Sequence, residues 1–153
     1  MENASARNMW GDYLKNHLED VFHETPKTIY FGDNEQDANE NARLIQSGAR
    51  KAISHSLLGL QNRNESLPKI GDYIVVTNWS GEAQCIVATT AVSLKPYFSI
   101  DATYAQLEAN GDKSLDSWKK YHWDFFTREL QEFKREPRES MIVVCQHFKV
   151  VNS

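Results

Sequence analysis

The sequence has few of the residues that cross-link or interrupt a chain: two cysteines, four prolines and seven glycines among 153 residues. Neither cysteine belongs to a CxxC pair, so a zinc site built on cysteine is unsupported, and with only two cysteines a disulfide is the less favoured alternative. Cys85 and Cys145 lie in apolar stretches, and we expect both to be buried, reduced thiols. The chain also has no Pro/Gly-rich linker, internal repeat or low-complexity tract.

Long hydrophobic runs are absent as well. An uninterrupted run such as Met141–Cys145 is far shorter than the ~20 apolar residues that a membrane-spanning helix needs. The first residues lack the basic region and apolar core of a signal peptide. We therefore expect no membrane association and a cytoplasmic protein.

An excess of positive charge is the third absence. Seventeen Lys and Arg face 21 Asp and Glu, which gives a net charge of −4 and disfavours non-specific binding of long nucleic acids. The charge is uneven, because residues 1–46 carry −5 and the remainder carries +1. Because the acidic residues are concentrated in the first third, the sequence is compatible with a compact site for a nucleotide or a short strand in the remainder.

The residues that are present describe a globular protein. Apolar residues make up 41%, aromatic residues 11% and charged residues 25%, values typical of a folded domain. The length predicts one domain over residues 1–153.

Hydrophobic periodicity and capping residues predict helices and strands in irregular alternation. The predicted helices cover residues 5–22, a segment after Asp33 or Asn34 that stops at Gly48, residues 101–108, and residues 114–133. The predicted strands cover residues 27–31, 73–76, 84–92 and 140–151, and residues 51–58 are ambiguous but compatible with an extended conformation. A hairpin turn at Ser80–Glu82 joins two of the strands. We therefore expect an α+β fold with an antiparallel or mixed sheet, which can curl into a small barrel.

The common catalytic motifs are missing. The sequence contains no GxxxxGK[ST], GxGxxG, HExxH or GxSxG, and no two of its five histidines lie four residues apart on one predicted helix. We expect no metal site and no cofactor.

The segment from Gly48 to Leu57 has a more informative composition. Arg50 and Lys51 follow a helix-ending glycine and precede Ser54 and Ser56. A lysine can act as a base towards a nearby serine when burial lowers the pKa of the amine, and two adjacent cations can hold a phosphate. The residues alone favour a simpler interpretation, a solvated turn with cations near the negative end of a helix dipole.

Three other positions are ambiguous in the same way. Glu108 ends a predicted helix, where a carboxylate is usually solvated. Trp118 and His122 share a helix face with Phe125 or Phe126, a pattern more typical of a core than of a base-stacking platform. Trp79 lies beside a turn, so we expect it to be exposed.

Taken in order, these segments resemble the ASCH (activating signal cointegrator homology) domain family, most closely its longer bacterial members. The resemblance covers nearly the whole chain and is carried by Met9-Trp10, Tyr13-Leu14, Phe31-Gly32-Asp33, Ser47–Leu58, Pro68–Tyr73, Gly81-Glu82, Ala105, Glu108, Gly111-Asp112, Ser114-Leu115, Trp118, His122 and Phe125-Phe126. It implies a PUA-like fold, a small β-barrel with flanking helices and a cleft lined by the signature Gly48–Leu58. Members of the family have been proposed to bind RNA, some remove the acyl group from N4-acylated cytidine with a Lys, a Thr and a Glu, and at least one is a ribonuclease.

Which residues of this chain correspond to the catalytic residues of the family's hydrolases depends on how the signature is aligned. Without a gap, the family Lys falls on Arg50 and the Thr on Ile53, which has no hydroxyl. One inserted residue places them on Lys51 and Ser54, the register preferred here, and the Glu falls on Glu108 in both. In that hypothesis Lys51 accepts a proton from Ser54, Ser54 attacks the acyl carbonyl, and Glu108 supplies the proton to the leaving amine.

The sequence thus predicts a protein that binds RNA or a nucleoside-type small molecule, with an amidohydrolase and a ribonuclease as alternatives. The candidate ligand-binding residues are Arg50, His55, Trp79, Trp118 and His122. Whether the protein is an enzyme, and how it assembles, is left open by the sequence.

Overall fold

The computed structural model describes residues 2–153, which form five α-helices and five strands. The helices are α1 Ala4–Lys15, α2 Glu35–Gln46, α3 Leu57–Asn62, α4 Ala102–Glu108 and α5 Leu115–Gln131. The strands are β1 Lys27–Ile29, β2 Ala52–Ser56, β3 Tyr73–Thr77, β4 Ala83–Pro96 and β5 Ile142–Asn152. Two short 3-10 segments, Leu18–Asp20 and Tyr97–Ser99, complete the elements.

The strands form one mixed sheet in the order β1-β3-β4-β5-β2. The pair β1 and β3 is parallel, whereas β3 with β4 and β2 with β5 are antiparallel. The predicted α+β class with a mixed sheet is therefore confirmed. No helix among residues 2–153 is long and apolar enough to cross a membrane.

The chain separates into two compact units. The first contains the chain up to Ala49 together with Ile70–Thr89 and Phe148–Ser153. Its core joins one face of α1 to the sheet, because Ala6, Trp10 and Tyr13 lie three or four residues apart and pack with Val75 of β3 and Ile86 of β4.

The second unit contains Arg50–Lys69 and Thr90–His147. Its core packs α4 and α5 with β2 and β5, and it includes Ala52, Tyr104, Trp118, Phe126, Val143 and Cys145. All five signature residues of β2 belong to this unit, in antiparallel register with β5, so that Ser54 lies opposite Cys145. The two-unit division leaves the assignment of residues 1–153 to a single domain as a prediction.

Several element boundaries differ from the expected ones, and two of the differences have a visible cause. The first helix ends at Lys15 and not at Phe22, because Asp20 accepts hydrogen bonds from the hydroxyls of Tyr13 (3.1 Å) and Tyr73 (2.9 Å) and the chain turns there. The strand in the signature ends at Ser56, whose hydroxyl accepts from the Gly59 N–H at 2.8 Å and caps α3.

Candidate functional site

Glu108 is the centre of a buried polar cluster in the second unit. Asp101 caps the start of α4, and Ala109 ends the helix in a left-handed conformation with φ +61°. Glu108 is the last residue of the helix, and only 2% of it is exposed. The expectation of a solvated carboxylate was therefore wrong, because α5 covers the end of α4 with Trp118 and His122.

Three side chains hydrogen-bond to the Glu108 carboxylate. Oε1 accepts a short hydrogen bond from Ser54 Oγ and a second one, at 2.9 Å, from the indole N–H of Trp118. Oε2 lies 2.8 Å from His122 Nε2. The structure thus brings together four residues that the sequence singled out, from β2, α4 and α5.

The hydrogen bonds of His122 fix the orientation of its ring. Nδ1 lies 2.9 Å from the carbonyl oxygen of Trp118, and Nε2 lies 2.8 Å from Glu108 Oε2. The ring therefore bridges the backbone of α5 and the carboxylate at the end of α4. The expected bond from His122 to the backbone is present, and the hydrogen bond with Glu108 is an additional contact that the sequence did not reveal.

Arg50, and not Lys51, lies beside Glu108. The Arg50 side chain is buried, 4% exposed, and its Nε–H donates to the Glu108 carbonyl oxygen at 2.6 Å. Lys51 is exposed, and its backbone N–H donates to the carbonyl oxygen of Leu107 at 2.8 Å. These two hydrogen bonds join the start of the signature to the end of α4. The buried cation next to Glu108 is therefore the guanidinium of Arg50.

The charges around Glu108 decide its ionisation. Burial acts to raise the pKa of this carboxyl, but the interactions with His122, the guanidinium of Arg50 and the hydrogen bond from Ser54 outweigh it and lower the pKa to about 2. Glu108 is therefore an ionised, hydrogen-bond-accepting carboxylate at neutral pH.

The Ser54 hydroxyl is fully engaged in this arrangement. It donates to Glu108 and lies 2.9 Å from the hydroxyl of Tyr104, which also reaches the Ile53 carbonyl oxygen at 3.1 Å. Burial and the neighbouring Glu108 raise the pKa of Tyr104, so it remains a phenol that donates. Sequence reasoning missed Tyr104, because nothing in its local sequence distinguishes it from a core tyrosine.

The remaining predicted ligand-binding residues lie apart from this cluster. His55 follows Ser54 in β2, so its side chain points to the opposite face of the strand, where Nε2 lies 2.8 Å from Gln146 Oε1. Burial lowers the pKa of His55. Trp79 belongs to the first unit, is 40% exposed and contacts Tyr30, with 4.9 Å between the ring centroids.

A cavity of about 750 Å³ opens in the second unit, at the end of the signature. Leu57 and Leu58 line one side, and the segment after α5 lines the other with Lys134, Arg135 and Arg138. One carboxylate, Glu136, also belongs to the lining. The cavity therefore combines an apolar surface with an excess of positive charge, a combination that suits an anionic ligand with a flat or apolar body.

The three cations were not among the predicted site residues. They lie in the segment Lys134–Arg138, whose three bases, one acid and one proline look like an ordinary solvated turn. Among residues 2–153, no group of three or more His, Cys, Asp or Glu is placed to hold a metal ion.

Comparisons with known proteins agree on one family. The ASCH domain family model matches residues 27–152. The crystal structure of an ASCH domain from Lactobacillus crispatus superimposes with a TM-score of 0.90 and 34% identity, over 97% of this chain and 95% of that chain. Protein EF3133 from Enterococcus faecalis gives a TM-score of 0.88 and 29% identity, over 97% of this chain and 88% of that one. No curated protein matches. The predicted resemblance and the predicted PUA-like α+β fold are confirmed.

Proposed function

The chain belongs to the ASCH domain family, and on this basis we propose that it binds short single-stranded RNA or a nucleotide in the cavity at the end of its signature. The observation that carries the proposal is the lining of this cavity, which includes Lys134, Arg135 and Arg138 together with Leu57 and Leu58. Cations contact phosphates, and apolar walls accommodate the faces of bases.

The proposal is consistent with the charge of the protein. A net charge of −4 opposes long-range attraction of nucleic acid, but three cations in one cavity act at short range on one or a few phosphates. We therefore expect binding of short strands with modest salt dependence.

The state of the buried cluster favours binding over acyl transfer. The cation beside Glu108 is Arg50, and a guanidinium cannot take a proton from a serine at neutral pH. The pKa of Glu108 is lowered to about 2, so this residue is an ionised carboxylate at neutral pH and does not itself bring the proton that a leaving amine needs. The cluster supports the fold beside the signature, and the ligand is bound at the open cavity.

The test is the binding of a labelled single-stranded RNA of about eight nucleotides, followed by fluorescence anisotropy over a range of salt concentrations. If three phosphates are neutralised, the logarithm of the association constant falls with the logarithm of salt concentration with a slope of about −2. Each of Lys134→Ala, Arg135→Ala and Arg138→Ala then weakens binding and makes the slope shallower by about 0.7.

The matched control is Lys120→Ala, which removes an exposed cation of α5 that lies about 15 Å along the helix from its cavity-lining end. This variant should bind RNA like the wild type. A slope near zero, or equal losses in Lys120→Ala and the cavity variants, would refute the proposal. Recovery of intact RNA from the binding reaction, with and without Mg²⁺, separates binding from ribonuclease activity.

One contact supports the amidohydrolase as a second candidate, namely the hydrogen bond from Ser54 to Glu108. The assay is hydrolysis of N4-acetylcytidine by the wild type, Lys51→Ala and Ser54→Ala. Turnover that disappears in both variants would establish the Lys51–Ser54–Glu108 mechanism in place of the binding function. Turnover undiminished in both would rule out these roles.

A further inference from the structure

Residues 16–26, here called the acidic segment, present an unusual surface between α1 and β1. Three of its apolar side chains are exposed, namely Leu18, Val21 and Phe22, and Phe22 is 100% exposed. Single exposed apolar residues are common, but a group of three within five residues is typical of an interaction site.

The acidic segment is held in a defined conformation. The Asp20 carboxylate accepts hydrogen bonds from Tyr13 and Tyr73, and the His23 N–H donates to the Asp20 carbonyl oxygen at 2.9 Å. Because both tyrosines belong to regular elements of the first unit, Phe22 is presented by a fixed turn. A preorganised apolar side chain loses little entropy when it binds.

The charge of the acidic segment specifies its partner. It contains Glu19, Asp20 and Glu24 and no lysine or arginine. A complementary surface must therefore be basic at its rim and apolar inside. The cavity at the end of the signature has this composition, with Lys134, Arg135 and Arg138 beside leucine side chains.

We propose that the acidic segment docks into this cavity on a second copy of the chain. Phe22 contacts Leu57 and Leu58 of the other copy, while Glu19 and Glu24 pair with its cations. The inference uses the cavity of the proposed function but does not depend on RNA binding. If both proposals hold, a second copy of the chain and RNA compete for the same cavity, so self-association reduces the access of RNA to it.

The experiment is sedimentation equilibrium of the full chain without RNA, over a range of protein concentrations. The wild type should show an average mass that rises with concentration. Phe22→Ser and Arg135→Glu should each weaken self-association about tenfold or more, because each removes one half of the contact. Phe22 is fully exposed, so its replacement leaves the core intact.

Mixing the two variants gives the decisive control. Phe22→Ser retains the wild-type cavity and Arg135→Glu retains the wild-type acidic segment, so the mixture should form a one-to-one complex although neither variant associates alone. A wild type that stays monomeric at every concentration, or a mixture that stays monomeric, would overturn the inference. RNA binding by a monomeric wild type would leave the proposed function standing, whereas self-association without RNA binding would refute only that function.

Discussion

Both oxygens of the Glu108 carboxylate accept hydrogen bonds from buried side chains. Ser54 and Trp118 serve Oε1, and His122 serves Oε2. The residue types could be found from the sequence because Ser, Glu, Trp and His each suggested chemistry. The family resemblance placed Ser54 and Glu108 in one site, but local sequence alone does not, because they are 54 residues apart and meet through the packing of β2 and α4. The contacts of Trp118 and His122 with Glu108 were not predicted.

Glu108→Gln should destabilise the protein by about 3–5 kcal/mol, because it leaves the buried Arg50 guanidinium without its counter-charge and disrupts the bond to His122. The amide also directs an NH₂ group at a donor, either His122 or Trp118. Urea unfolding measures the change, with the exposed Glu2→Gln as the control that should leave the free energy of unfolding unaltered. Equal stability of the two variants would contradict the described cluster.

The ionisation of Glu108 also gives a pH dependence. Its pKa of about 2 lies below the unfolded value of about 4.3, so the carboxylate contributes about 3 kcal/mol above pH 5, and this contribution is lost as pH falls towards 2. The free energy of unfolding of the wild type should decrease over this range. In Glu108→Gln the decrease should be smaller, and parallel pH profiles would exclude the assignment.

At the scale of single elements, the local sequence predicts where a helix begins better than where it ends. Asn34, one of two expected caps, and Ser114 cap α2 and α5, because a capping bond spans only three residues. Asp101, the expected first residue of α4, is instead its cap. The end of α1 was not predictable, since Tyr13 and Tyr73, 60 residues apart, hold Asp20 and terminate the pattern. The helix α3 was missed because its six residues are too few to establish a period.

Two helical glycines allow a matched test of α3. An added Cβ at Gly59 would lie 2.7 Å from Ser56 Oγ and 2.8 Å from Glu129 Oε1, whereas at Gly11 of α1 it would meet nothing within 4 Å. Gly59→Ala should therefore destabilise the protein by about 1–3 kcal/mol. Gly11→Ala should stabilise it by about 0.5–1 kcal/mol, because alanine loses less backbone entropy in a helix.

Thermal unfolding of both variants gives the comparison. Since Leu57 and Leu58 of α3 line the cavity, Gly59→Ala should also weaken RNA binding, and Gly11→Ala should not. A Gly59→Ala protein that is as stable as the wild type would show that the contacts around α3 are looser than described.

At the scale of the whole molecule, topology lay beyond the reach of the sequence. The hairpin of β3 and β4 was predictable from its turn, but the parallel pairing of β1 with β3 and the position of β2 beside β5 depend on contacts far apart in the chain. The family resemblance supplied the fold, while the basic cavity depends on side chains whose local sequence carries no signal.

The reactivity of the two cysteine thiols can show whether the two units unfold together. Cys85 lies in the first unit and Cys145 in the second, and both are free and buried, as expected. Burial raises the pKa of Cys85 to about 11 and also raises that of Cys145, so neither thiol is reactive while folded. Because β4 and β5 run through both units, we expect both thiols to react with a disulfide reagent in one slow phase. Two well-separated phases would show independent unfolding and refute a single domain over residues 1–153.

The closed set of bonds around Glu108 has a consequence for descent with modification. The Glu108 carboxylate hydrogen-bonds to Ser54, Trp118 and His122, and its loss leaves all three without that partner. Single replacements inside this set are therefore penalised, and several members have to be exchanged together. Replacements in the exposed residues Lys134, Arg135 and Arg138 break none of these three bonds, so that segment can vary while the interior stays fixed.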